Sequence, residues 1–247
     1  MAPVILQARR SPDRFAVTVC ATGQHREMAR QMLGVFGIVP DADLDVMQPD
    51  QSLVDLSSRL LNVFGDYLKG HPADWVLVQG DTTTVWTAAV ASFFLRTPVG
   101  HIEAGLRTND RSQPFPEEIN RRITTTVADA HFAPTAWARD NLLAERVPAD
   151  RIAVTGNTIV DALEWILAGL DTSVDADVVA MRDWHARHAG GRPLVLITGH
   201  RRENFGDGFR NICEAIRDLA DAHPAAVFVY PDRKSTRLNS SHVQPSR

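Results

Sequence analysis

Cysteine is nearly absent: Cys20 and Cys213 stand far apart in a chain of 247 residues. That excludes a disulfide framework and makes a reducing cytosol the expected compartment. No apolar run approaches the roughly 20 residues needed to cross a bilayer. The opening Met1-Ala2-Pro3-Val4-Ile5-Leu6 has neither a basic flank nor a small-residue cleavage site, so no membrane partner and no secretory leader are expected. A basic excess is missing too. The net charge is −4, and phosphate-backbone binding needs a clustered basic face, so nucleic acid is not an expected partner. Gly-x-Gly-x-x-Gly does not occur, which removes a nicotinamide-binding fingerprint. Neither His-Glu-x-x-His nor paired cysteines are present to hold a metal. No internal repeat is evident.

What the chain does have is alternation. Short β-branched runs at 15–20, 75–79, 99–102, 130–133, 152–154, 194–198 and 226–230 predict strands. Helical patterns lie around them, over about 25–36, 85–95, 117–126, 135–145, 159–170 and 208–223, and a further one carries Leu53, Leu56, Leu60 and Phe64 as one buried stripe. Such alternation reads as βαβ units with parallel sheets, an α/β fold. The polar stretch Asp171, Thr172, Ser173, Asp175 and Asp177, with Gly190-Gly191 beyond it, predicts a boundary within 168–192. The domains expected are 1–168, a second beginning over 169–231, and a tail over 232–247. The tail turns to Ser, Arg, Asn and Gln, and resembles translated adapter sequence rather than native coding sequence. At the other end the chain opens inside a helix, with no strand before it. Cys20 and Cys213 are expected to be packed as small apolar residues.

In parallel sheets ligands sit beyond the carboxyl ends of the strands, and three carboxylates gather there. Asp81 follows the strand ending in Gln79-Gly80 and precedes Thr82-Thr83-Thr84. It can face a phosphate or a sugar hydroxyl, or merely cap the next helix. Glu103 follows His101 and Ile102 and precedes Ala104-Gly105, small residues that leave room. It suits a general acid or base, unless Arg107 pairs with it as plain structure. Glu117 follows Pro116 in the first turn of a helix. Glu117–Arg121 and Glu118–Arg122 have the spacing of helical ion pairs, which for Glu118 is the preferred reading. His200, with Arg201, Arg202 and Glu203 after it, ends another strand and suits a diphosphate. Gln24 and His25 either line the same cleft or form the polar first turn of a helix. Gly156-Asn157-Thr158 reads as a helix cap.

Taken in order, Gly80-Asp81-Thr82-Thr83-Thr84, His101 to Arg107, Pro116-Glu117-Glu118 with Asn120-Arg121, Thr155-Gly156-Asn157-Thr158 and Gly199-His200-Arg201-Arg202-Glu203 resemble the bacterial, non-hydrolysing UDP-N-acetylglucosamine 2-epimerases. The resemblance covers residues 1 to about 231. It implies two Rossmann-like domains of the GT-B architecture, the first lacking its first strand and the second incomplete. Loss of that central strand is expected to leave neighbours unpaired and a gap in the core. The reaction implied interconverts UDP-N-acetylglucosamine and UDP-N-acetylmannosamine through elimination and re-addition of UDP, with no cofactor and no metal, in the service of surface polysaccharide. Asp81, Glu103 and Glu117 carry over as the acid/base set and His200 as a catalytic residue on the diphosphate side. Asp81, Glu103, Arg107, His200 and Arg201 carry over as substrate contacts. Gln24 and His25 are the place to look for regulation by a second substrate molecule, and a homodimer is the implied assembly. The chain as written is expected to be an inactive fragment. The rival readings are a hydrolysing epimerase, which releases N-acetylmannosamine and UDP, and a non-catalytic nucleotide-sugar-binding module.

Overall fold

The computed structural model describes residues 1–23, 26–48, 51–198 and 207–231. The chain divides into two compact units, Met1–Leu167 and Ala168–Arg247. The first is built on a four-stranded parallel sheet of order β3 (Val76–Gln79), β4 (Val99–Ile102), β5 (Ala130–Ala133) and β6 (Ile152–Val154). Helices α4 (Thr83–Phe94), α5 (Glu117–Val127) and α6 (Ala136–Ala144) make the crossovers between successive strands. Each connection returns the chain to the same end of the sheet, so the loops after β3 and β4 meet.

The core explains why these elements form. On α3 (Leu53–Gly70), Leu56, Leu60, Phe64 and Leu68 recur every four residues and are all buried. The helix starts on a reciprocal cap in which Ser52 accepts from the Asp55 N–H and Asp55 accepts from the Ser52 N–H. The expected stripe therefore begins one turn late: Leu53, in that first turn, is exposed. Phe64 and Leu68 join Val78, Val85, Ala88, Ala89, Ala91 and Val99 in the largest apolar cluster. The central strand β4 is buried at every position. Gly100 leaves room there for Leu77, whose Cδ2 would stand 2.6 Å from an added Cβ.

Beside this sheet lies a two-stranded parallel pair, β1 (Cys20–Ala21) and β2 (Ala42–Asp43), which is not hydrogen-bonded to β3. Between them opens a cleft of about 650 Å³ lined by Val19, Cys20, Ala21, Phe64, Leu68, Val76 and Val78. Val76 and Gly80 donate toward β4, at Pro98 O and Ile102 O. Leu77 and Gln79 therefore turn their backbone groups to the cleft side. Among the described residues no strand pairs with this edge of β3. The chain enters on α1 (Ala2–Arg9), whose Ile5 packs with Phe36 and Ile38.

Four expectations need correction. The run at 15–20 forms a strand only from Cys20, as β1. The short strand β2 was not expected, since two polar-flanked residues carry no pattern. A helix not expected from sequence, α8 (Ala176–His188), follows the break over 171–175, and Asp175 caps it: its Oδ1 accepts from the Asp177 and Val178 N–H groups. The apolar residues of α8 are not gathered on one face, so no periodic stripe announces it. Cys213 is exposed on α9 (Asp207–Ala222), one residue round the helix from half-buried Ile212. Cys20 is half-buried against the main core, its thiol pushed up to about 11 by burial and by the Asp43 carboxylate.

The second unit carries the parallel pair β7 (Leu194–Leu196) and β8 (Val227–Val229), with α9 between them in sequence. α7 (Thr158–Leu170) leads out of the first unit, its start formed by Gly156 at φ +81° and Asn157 Oδ1 accepting from Ile159 N–H, as the cap reading expects. Among the described residues no helix is long and apolar enough to cross a membrane.

Candidate active site

β3 and β4 run in register, with Gln79 beside Ile102, so the residues that follow them emerge side by side. Gly80, at φ +85°, turns the chain and places Asp81 past the end of β3. His101 on β4 secures this turn through a 2.9 Å hydrogen bond from Nε2 to Gly80 O. The ring is fully buried, and desolvation pushes its pKa down to about 4. The neutral ring therefore donates from Nε2, and Nδ1 has no partner. Its cross-strand neighbour His131 is also buried and pushed down to about 4 by burial.

Asp81 does not cap α4. Thr82 occupies that position, and the Asp81 carboxylate turns instead to α5. Its Oδ2 accepts from Arg121 Nη2 at 2.6 Å and Nε at 3.0 Å. Its backbone carbonyl accepts from Asn120 Nδ2 at 2.8 Å. One turn earlier on the same face stands Glu117, whose Oε2 is buried without a hydrogen-bond partner. The expected Glu117–Arg121 pair is not made, because Arg121 spends its guanidinium on Asp81 and on Glu118.

Glu103 sits at φ +66°, in the left-handed region that a non-glycine residue rarely enters. It lies between the last residue of the buried strand and Ala104, itself fully buried. Such a backbone persists only where its surroundings fix it, and such sites concentrate at functional positions. Its Oε2 accepts a 3.4 Å contact from Gln79 Nε2, which also donates to Thr158 Oγ1 at 3.0 Å. The Met1 amino group donates to Gln79 Oε1.

Arg107 does not pair with Glu103 but is held by other elements of the first unit. Its side chain is 1% exposed. Nε and Nη2 grip the two oxygens of Glu145 at 2.7 and 2.8 Å, Nη2 also reaches Thr125 Oγ1, and Nη1 reaches Leu106 O. The same contact holds Glu145 below the usual carboxylate range. Gly105 permits this arrangement: at φ +86° it passes so close to α6 that a Cβ would lie 2.2 Å from Ala138 O.

Glu118 is structural, as expected, but does more than pair with Arg122. It is fully buried and accepts from the Thr108 and Asn109 N–H groups as well as from Arg122 and Arg121. Burial alone would raise its pKa; those donors overcome it and leave the group below its ordinary value. This pins the loop that runs into Glu117.

The structure thus places Asp81 and Glu103 just past the ends of the adjacent strands β3 and β4, and Glu117 at the start of α5, the helix whose Arg121 grips Asp81. Among the described residues no three His, Cys, Asp or Glu side chains converge closely enough to hold a metal ion. His200, Arg201, Gln24 and His25 lie outside the described residues. Asn120, Arg121 and His101 stand in the sequence motifs, but their part in holding Asp81 and its turn was not foreseen. A signal was there for two of them: positions three and four after Glu117 share its helix face.

The family model described as UDP-N-acetylglucosamine 2-epimerase matches residues 7–245. This chain belongs to the UDP-N-acetylglucosamine 2-epimerase family. It is 46% identical over 245 residues to the UDP-N-acetylglucosamine 2-epimerase of Salmonella typhimurium, an alignment covering 99% of this chain and 64% of that protein. Among solved structures it resembles the Neisseria meningitidis UDP-GlcNAc 2-epimerase bound to UDP-GlcNAc, with TM-score 0.85 and 43% identity over 94% of this chain and 62% of that one. A second, from Listeria monocytogenes, a putative UDP-N-acetylglucosamine 2-epimerase by its description, gives TM-score 0.83 and 41% identity over 96% and 60%. The chain spans about three-fifths of the length of these epimerases. The α/β fold of Rossmann-like, GT-B class expected from sequence is borne out.

Proposed function

We propose that the whole protein interconverts UDP-N-acetylglucosamine and UDP-N-acetylmannosamine. A carboxylate takes the C2 proton, the C1–oxygen bond breaks with its electrons leaving on UDP, and a 2-acetamidoglucal results. UDP then re-adds at C1 while a proton returns to the opposite face of C2. Inverting that centre needs more than one acid/base group. Asp81, Glu103 and Glu117 form the set, with His200 and Arg201 on the diphosphate side. The observation that carries this reading is Glu117: a buried carboxylate oxygen with no partner, on the helix turn that precedes the residue gripping Asp81. An unsatisfied buried acceptor costs stability, which is intelligible where substrate supplies the missing donor.

The test is to incubate the full-length gene product with UDP-N-acetylglucosamine in D2O and follow the sugar by NMR. The expected outcome is deuterium at C2 and an equilibrium of two UDP-sugars, with UDP itself only a trace. Free N-acetylmannosamine with one equivalent of UDP would establish the hydrolysing reaction instead. Binding of UDP without exchange would establish a non-catalytic module. Residues 1–247 alone are expected to exchange little, since the cleft in the core opens directly beside Gln79, the residue that contacts Glu103. A homodimer is the expected assembly, to be checked by light scattering.

A further inference from the structure

We propose that Arg121 is the positioning residue of this site, fixing Asp81 for catalysis and withholding its own charge from Glu117. The proposal rests on the epimerase reading above. Arg121 sits one turn after Glu117 on α5, at the spacing where an arginine normally pairs with the earlier glutamate. It does not do so. Nε and Nη2 both converge on one oxygen of Asp81, at 3.0 and 2.6 Å, while Nη1 reaches Glu118 Oε2 at 3.4 Å. Glu118 is an immobile anchor, since it is fully buried and also held by two backbone N–H groups and by Arg122. The guanidinium is therefore locked between a fixed carboxylate below and Asp81 above, and its side chain is only 14% exposed.

Two consequences follow for the chemistry. Asp81 is oriented by three contacts from one helix: two from Arg121 to Oδ2 and one from Asn120 to the backbone carbonyl. Its other oxygen, Oδ1, makes no hydrogen bond among the described residues and is the one left for a substrate atom. Among the described residues no cation pairs with Glu117, so the two carboxylates stand in different surroundings, the arrangement that lets neighbouring acids take different roles. A lysine at 121 would keep the charge but not the planar fork that meets Asp81 and Glu118 together.

The test uses the full-length gene product and measures C2 deuterium exchange and net epimerisation, with kcat and KM separated, for R121Q, R121K and R122Q. Arg122 shares Glu118 with Arg121 but does not touch Asp81, so it reports on a purely structural contribution. The expected result for R121Q is a loss of about 100-fold in kcat with KM within about threefold, the scale of a misplaced catalytic group. R121K is expected to recover about tenfold of that loss, and R122Q to stay within about twofold of wild type. If R121Q does not fold, R121K carries the test through a kcat about tenfold below wild type at unchanged KM. An R121Q kcat equal to wild type, or equal losses in R121Q and R122Q that track their melting temperatures, would overturn the proposal. Wild-type protein without any exchange would instead remove the epimerase reading, and the proposal with it.

Discussion

Acidification from pH 7 to pH 5 should destabilise the first unit, because two neutral histidines are buried there. His101 and His131 are neighbours on β4 and β5, 0% and 2% exposed, and each is pushed down to about 4, chiefly by burial. An unfolded histidine titrates near 6.5. The folded value lies below the unfolded one, so the unfolded state binds protons first as pH falls. The stabilisation is fully present above about 6.5 and is lost progressively toward 4. Between pH 7 and 5 linkage gives a loss of about 2 kcal/mol per histidine, or about 4 kcal/mol for both. Glu118 and Glu145, held below the usual carboxylate range, lose their contribution only below about 4.5, outside this window, while the Met1 amino group, pushed down by burial, adds a loss of the same sign as pH falls below about 8. The assay is urea unfolding by circular dichroism at half-unit pH steps. H131Q should remove one histidine's share of the slope of stability against pH, whatever it does to stability at pH 7. A flat profile between 7 and 5, or a rise on acidification, would refute the reasoning.

Three further outcomes are expected. E117Q should reduce C2 exchange by about 100-fold or more with little change in melting temperature, because the isosteric amide leaves a polar atom where the unpartnered oxygen stands; a large fall in melting temperature would show that Glu117 is structural. R107K should cost about 2 kcal/mol in chemical denaturation, from loss of the two-pronged contact with Glu145, yet leave KM for the nucleotide sugar unchanged, and a large rise in KM would restore Arg107 as a substrate contact. G105A should destabilise by at least about 2 kcal/mol in the same assay, since the new Cβ meets Ala138 O at 2.2 Å and the backbone sits at φ +86°.

Most of the first unit was legible because its signals are local. The strands at 99–102, 130–133 and 152–154 are found at those positions, since β-branched runs bounded by turn residues have few other uses. The stripe on α3 emerged for the same reason, once Leu53 is set aside as part of the first turn. Where local pattern was weak, reading failed. α8 has no apolar face to betray it, and β2 is two residues long. The carboxylates of the site were legible as a set because they end consecutive strands or open the next helix, places where the fold class itself gathers ligand-facing residues.

Spacing along the chain offers each charged group its nearest partner, and that offer is all a linear reading can see. It determines that this is an α/β chain, where most of its strands end, and that Asp81 and Glu103 follow strand ends while Glu117 opens a helix. Folding then puts competing partners within reach. Arg107 passes over Glu103 for Glu145, 38 residues away, and Arg121 passes over Glu117 for Asp81, 40 residues away. A buried guanidinium needs several donors satisfied at once, and a pair on one exposed helix turn, worth about 0.2–0.5 kcal/mol, cannot compete with contacts enclosed by neighbouring elements. Only the tertiary structure, by burying some polar atoms and sparing others, decides which carboxylate is tied down and which is not.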